Sequence, residues 1–187
     1  MTAYDLVIRG GTVFDGSGAP PMIADVGVRG DRVAAIRAGL PEGLHTIDAS
    51  GRWVIPGMLD VHTHYDAEVL ASPGLGEPVR HGVTTVILGN CSLSTVYCDA
   101  DDCADMFARV EAVPRSIVRS TVKEFKTWHD PAGYVAAIEA LPLGANIAAF
   151  IGHSDMRAAT MGLGRSVDSN VRPTRTELRR MSRMLVD

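Results

Sequence analysis

Cysteine is too scarce here for a disulfide framework: Cys91, Cys98 and Cys103 are the only three in 187 residues. Thiols in such number are core fillers, nucleophiles or metal ligands rather than staples. Basic charge is short as well. Eighteen Lys and Arg stand against 22 Asp and Glu, a net charge of −4. Binding a phosphate backbone wants the opposite balance, so nucleic acid is not expected as a partner. No apolar run approaches the length of a membrane span, so no membrane is expected either. The opening Met1-Thr-Ala-Tyr-Asp-Leu6 lacks the basic region and apolar core of a secretory leader, which makes the cytoplasm the expected location. Internal repeats and low-complexity tracts are missing too. What remains is 46% hydrophobic and 21% charged, ordinary for a soluble globular chain.

Residues 1–56 read as short strands and tight turns. Leu6-Val7-Ile8 and Thr12-Val13-Phe14 are split by Gly10-Gly11. Asp25-Val26-Gly27-Val28 turns at Gly30-Asp31 and resumes at Val33-Ala34-Ala35-Ile36, and Trp53-Val54-Ile55 stops at Pro56-Gly57. This spacing predicts a small antiparallel β domain. From 57 to 187 the pattern changes. Met58-Leu59-Asp60-Val61, Val83–Leu88 and Asn146–Ile151 read as buried-type strands, with helices over 104–113, 116–128 and 131–141 between them. Alternating strand and helix predicts a parallel sheet. The last segment opens on the capping-box pattern Thr174-Arg-Thr-Glu177. Its Leu178, Met181 and Leu185 share a helical face, and the helix is expected to run on to Asp187. The stretch after 57 is shorter than the roughly 250 residues of a complete (β/α)₈ barrel.

The strongest chemical signal is Pro56-Gly-Met-Leu-Asp-Val-His-Thr-His64. On an extended chain, residues at i and i+2 point the same way, so His62 and His64 can reach one metal. They close a strand at the end where parallel barrels build their sites. Gly89-Asn90-Cys91 follows the next strand, and a thiolate there is a plausible third ligand. Gly152-His153-Ser154 follows the third; His153 is read as binding substrate or holding a loop. Asp60 shares the side of His62 and supports it or makes a buried hydrogen bond. The five-residue spacing of Cys98-Asp-Ala-Asp-Asp-Cys103 matches no standard zinc pattern, so these two are ordinary thiols in an acidic loop. His45, His81 and His129 lie in turn or helix-edge contexts, exposed to solvent.

A strand unit followed by a strand ending His-x-His resembles the opening of the amidohydrolase superfamily. Pro56–Ala67, His81-Gly-Val-Thr-Thr85, Gly89-Asn-Cys91 and Asn146–Ser154 together resemble its D-aminoacylase (N-acyl-D-amino-acid deacylase) branch, over nearly the whole chain. The resemblance implies the N-terminal part of a (β/α)₈ amidohydrolase barrel, preceded by a small antiparallel β domain, with zinc as cofactor. His62 and His64 match the first-strand metal ligands and Cys91 the cysteine ligand. In this branch that cysteine takes the place of the carboxylated lysine of hydantoinases. Two further histidines and a catalytic aspartate of the family lie beyond Asp187. One departure is Ser92-Leu-Ser-Thr-Val-Tyr-Cys98, where related enzymes carry a glycine-rich stretch.

The expected function is therefore zinc-dependent hydrolysis of a linear amide, deacylation of an N-acyl-D-amino acid, a small-molecule substrate. This chain would supply part of the site, the remainder of the barrel coming from a longer chain or a partner chain, and alone it would be inactive. A cyclic-amide hydrolase is one rival. Lys123 and Lys126, the only lysines, fall in a helical stretch and not at a strand end, which disfavours it. A non-catalytic metal- or partner-binding module derived from such an enzyme is the other.

Overall fold

Apolar residues of Leu6–Val13 build a strand (β1) that does not stop at its glycine pair. Gly10 takes φ +69°, the partnering register shifts between Ile8 and Gly11, and the freed Gly10 N–H donates to Asp25 Oδ1 at 2.8 Å. The expected turn is a β-bulge, a use of glycine that local sequence does not separate from a turn. This computed structural model describes residues 3–186 and shows an α/β chain of two compact units, Met1–Gly57 and Met58–Asp187.

In the first unit β2 (Met22–Arg29) pairs antiparallel with β1, and β3 (Arg32–Arg37) pairs antiparallel with β2 after a turn at Gly30. β4 (His45–Asp48) and β5 (Trp53–Val54) instead run parallel to β1. The sheet is therefore mixed, with order β3-β2-β1-β4 and β5 beside the far half of β1, and not antiparallel throughout. Glycine turns announce hairpins. A parallel pair needs a return connection, made here by residues 38–44, which deliver Leu44 N–H to Tyr4 O and His45 N–H to Asp5 O. His45, expected in a turn, is thus an exposed strand residue. Asp25 is buried among these strands and also accepts the Leu40 N–H at 3.0 Å. The Gly10 N–H holds its carboxyl below the usual range.

The second unit is built on three parallel strands in the order β6 (Met58–Asp60), β7 (Val83–Leu88), β8 (Asn146–Ala149). Short helices α1 (Glu68–Ala71) and α2 (Gly76–Arg80) separate the first two strands. α3 (Ala100–Val110), α4 (Arg115–Phe125) and α5 (Pro131–Glu139) separate the last two. Val86 and Leu88 of β7 are buried against Val69, Leu75, Trp128 and Ile138. Leu59 pairs with Thr85, on the other face, and is 64% exposed. Val61 is 59% exposed. The buried character expected of residues 58–61 is thus absent, because β6 is an edge strand and the helices cover only the Val86 side.

Asp99 caps α3, accepting from the N–H groups of Asp101 and Asp102, so the expected acidic loop is largely the first turn of a helix. Cys98 and Cys103 are buried with Met106, Phe107 and Val118, and burial pushes both thiols up. They fill core. After β8 come α6 (His153–Met161), α7 (Leu163–Val167) and α8 (Arg175–Met184). The Thr174–Glu177 capping box is formed. Of the expected face only Met181 is buried; Leu178 and Leu185 are exposed, and the helix stops at Met184. Asp187, where it was expected to end, lies outside the described residues.

Candidate metal centre

β6 gives way to an extended segment in which side chains alternate. Thr63 turns inward, is buried, and donates its hydroxyl to Ile87 O at 2.8 Å. Its neighbours His62 and His64 stand with ring centroids 5.5 Å apart. Asp60 Oδ1 accepts the His62 N–H at 3.3 Å, so the expected support is a backbone contact.

Cys91 is delivered from β7 by a tight 3₁₀ turn over Asn90–Ser92. Gly89 makes the turn possible: it takes φ +79°, and a Cβ there would lie 2.1 Å from Phe150 O. Asn90 Nδ2 donates to Ile87 O at 2.7 Å. One carbonyl, Ile87 O, therefore ties down both the histidine segment and the cysteine turn.

The result is a convergence of three donors. His62 Nε2 lies 3.2 Å from Cys91 Sγ, and ligand atoms of His62, His64 and Cys91 all fall within 4.8 Å of one another. Two ligands of a tetrahedral zinc are about 3.5 Å apart, from Zn–S of about 2.3 Å and Zn–N of about 2.0 Å. The set is two imidazoles and a thiol, a borderline-soft combination suited to a transition metal. His64 is only 10% exposed at its side chain, its Nε2 is 3.8 Å from Glu111 Oε1, and its Nδ1 is buried without a hydrogen-bond partner among the described residues. A buried donor of this kind is costly unless something engages it. The residues present fit a metal ion.

His153 does not join them. It is exposed at the first position of α6, and the strand expected to carry it ends at Ala149. Its neighbour Ser154 lines a cavity of about 260 Å³ with Cys91, Leu93, Met106, Arg109 and Arg157. His81 meets Glu77 at 3.2 Å on the surface, and His129 is exposed. Lys126 caps the end of α4 and donates to the carbonyls of Thr95 and Val96.

Two buried carboxylates near the cluster escaped sequence reasoning. Asp66, two residues after His64, is fully buried, makes no hydrogen bond among the described residues, and is pushed by burial up to about 7. Asp155, also fully buried, accepts four hydrogen bonds from the segment after Cys91. Each follows a ligand-type histidine by two residues, but a charged residue in a loop or a first helical turn is ordinarily exposed.

Comparison with known proteins adds an independent line. A profile of the amidohydrolase family matches residues 45–181. An uncharacterised protein of Mycobacterium tuberculosis is 54% identical over 97% of this chain and 30% of its own length. N-acyl-D-glutamate deacylase of Alcaligenes xylosoxydans xylosoxydans is 37% identical over 98% of this chain and 34% of its own. Among solved structures, N-acyl-D-glutamate deacylase of Bordetella bronchiseptica, complexed with zinc and a phosphonate mimic of the tetrahedral intermediate, superposes with a TM-score of 0.74 at 34% identity, covering 97% of this chain and 35% of that one. A D-aminoacylase with a binuclear metal centre gives 0.78 at 33% identity and the same coverage. The chain spans about a third of the length of the relatives it matches.

Proposed function

Because this chain belongs to the amidohydrolase family, in its D-aminoacylase branch, we propose that it supplies metal ligands to a zinc-dependent deacylase of N-acyl-D-amino acids. The convergence of His62, His64 and Cys91 carries the reading. When bound, the metal supplies Lewis acidity toward the amide carbonyl and activates water. The chain's own residues hold it. Both imidazoles are kept at the cluster by the alternation around Thr63, and Asn90 keeps the Cys91 turn on the same carbonyl.

The cavity beside Cys91 is the proposed place for substrate. Arg109 and Arg157 in its wall suit the carboxylate of an N-acyl amino acid, since guanidinium groups pair with carboxylates through fixed parallel donors. His153, next to Ser154 of that wall, is assigned to the substrate side. We place residues 1–56 as the family's small β domain and 57–187 as the first strands and helices of its barrel. The acid–base group that moves the proton to the leaving amine comes, in this reading, from residues outside this third of the relatives' length. A cyclic-amide reading draws no support from Lys126, which is bonded to loop carbonyls.

The test is release of free amino acid from N-acetyl-D-amino acids, their L forms and a hydantoin by the zinc-loaded protein with all its segments. The D forms should be cleaved, and Cys91→Ala should lower turnover by about a hundredfold or more, as loss of one member of a co-acting set does. Hydantoin opening without deacylation would overturn the assignment.

A further inference from the structure

Cys91 and the following Ser92 both adopt left-handed backbone, φ +52° and +65°. For L residues that conformation is disfavoured, because Cβ crowds the following carbonyl oxygen. Such strain persists only where the surroundings over-determine it. The surroundings here are unusually explicit, and they lie in the departure from the family pattern, Ser92–Cys98.

Asp155, fully buried in the first turn of α6, accepts from Ser94 Oγ at 2.6 Å and from the backbone N–H groups of Val96 (3.0 Å), Tyr97 (3.0 Å) and Cys98 (2.7 Å). The carbonyls of the same segment are taken by other groups. Lys126 Nζ donates to Thr95 O at 2.6 Å and Val96 O at 2.8 Å, and Trp128 Nε1 donates to Thr95 O at 2.9 Å. Ser94 Oγ also accepts the Gly152 N–H at 3.0 Å. Gly152 approaches so closely that a Cβ there would lie 2.3 Å from Ser92 O. The chain directly after the thiol is thus fastened to the β8–α6 junction through a buried carboxylate, a serine and a glycine.

We propose that Asp155 is a positioning residue of the metal centre. By gripping Ser94–Cys98 it keeps Cys91 in its left-handed conformation, with Sγ held beside His62 Nε2. This rests on the reading of Cys91 as a metal ligand. A carboxylate that served folding alone would leave the metal's environment unchanged in any variant that still folds. A carboxylate that aims the thiol would change it.

Cobalt(II) titration of the full chain separates these cases, since a thiolate ligand gives a near-ultraviolet charge-transfer band. Binding affinity and band intensity are read beside far-ultraviolet circular dichroism. Asp155→Asn and Ser94→Ala should remain folded, bind cobalt at least about tenfold more weakly and show a weakened band, the usual scale for partners that orient ligands. Ile138→Ala, a core truncation on α5, should lose stability and leave band and affinity unchanged. Should Asp155→Asn fail to fold, Ser94→Ala decides. Wild-type band and affinity in folded Ser94→Ala or Asp155→Asn, or an equal loss in Ile138→Ala, would overturn the inference. The Cys91→Ser variant keeps the two readings apart. If it abolishes the band and the Asp155 and Ser94 variants do not alter it, only the positioning role fails. If wild type shows no band, or Cys91→Ser retains it, the metal reading fails and the positioning role with it.

Discussion

Single side chains settle most of what this chain can do, and three buried aspartates show how. Asp25 bonds the Gly10 and Leu40 N–H groups, Asp155 organises the turn after Cys91, and Asp66 is buried with no hydrogen bond among the described residues. Asp25 allows a prediction with a definite sign. Its folded-state carboxyl lies below the ordinary 3.8, so its stabilising contribution is present above that value and is lost as pH falls through the folded one. Asp25→Asn should cost about 1.5–3 kcal/mol at pH 7, the range for hydrogen bonds to a charged group. In urea unfolding the gap between wild type and variant should narrow from pH 5 to pH 3. A constant gap would show that the charge is not what stabilises the bulge. Asp25 and Asp155 were not legible from sequence, because their burial is decided by partners 15 to 61 positions away. The convergence of His62, His64 and Cys91 was legible because its signals are local: a two-residue alternation and a glycine turn after a strand.

At the scale of elements, local chemistry was read well where it is self-contained. The Thr174 capping box and a strand over Val83–Leu88 are as sequence suggests. Misreadings arose where a second element decides. Gly10 looked like a turn and is a bulge because Asp25 waits on β2. Leu59 and Val61 looked buried and are exposed because, among the described residues, no helix of the second unit covers that side of β6. The β7 turn and the β8–α6 junction meet with no space to spare, and Gly89 is the most demanding point. Gly89→Ala adds both a left-handed penalty and a clash with Phe150 O. It should destabilise the chain by about 3 kcal/mol or more and weaken cobalt binding in whatever fraction folds. Calorimetry and the cobalt titration check this. Wild-type behaviour in both would mean that the close approach is dispensable.

For the whole molecule, an α/β chain covering about a third of its relatives' length carries a cluster of three donors, and among the described residues no helix is long and apolar enough to cross a membrane. In and beside the parallel sheet of the second unit, Leu59, Val61 and Phe150 are exposed. The claim that matters most is that His62, His64 and Cys91 bind one ion together. Zinc-edge X-ray absorption of the protein loaded with one equivalent of zinc tests it directly. One sulfur at about 2.3 Å with nitrogen or oxygen ligands at about 2.0–2.1 Å is the expected result, with loss of the sulfur shell in Cys91→Ser. A zinc shell of nitrogen and oxygen alone in the wild type, or a sulfur shell that survives Cys91→Ser, would contradict it.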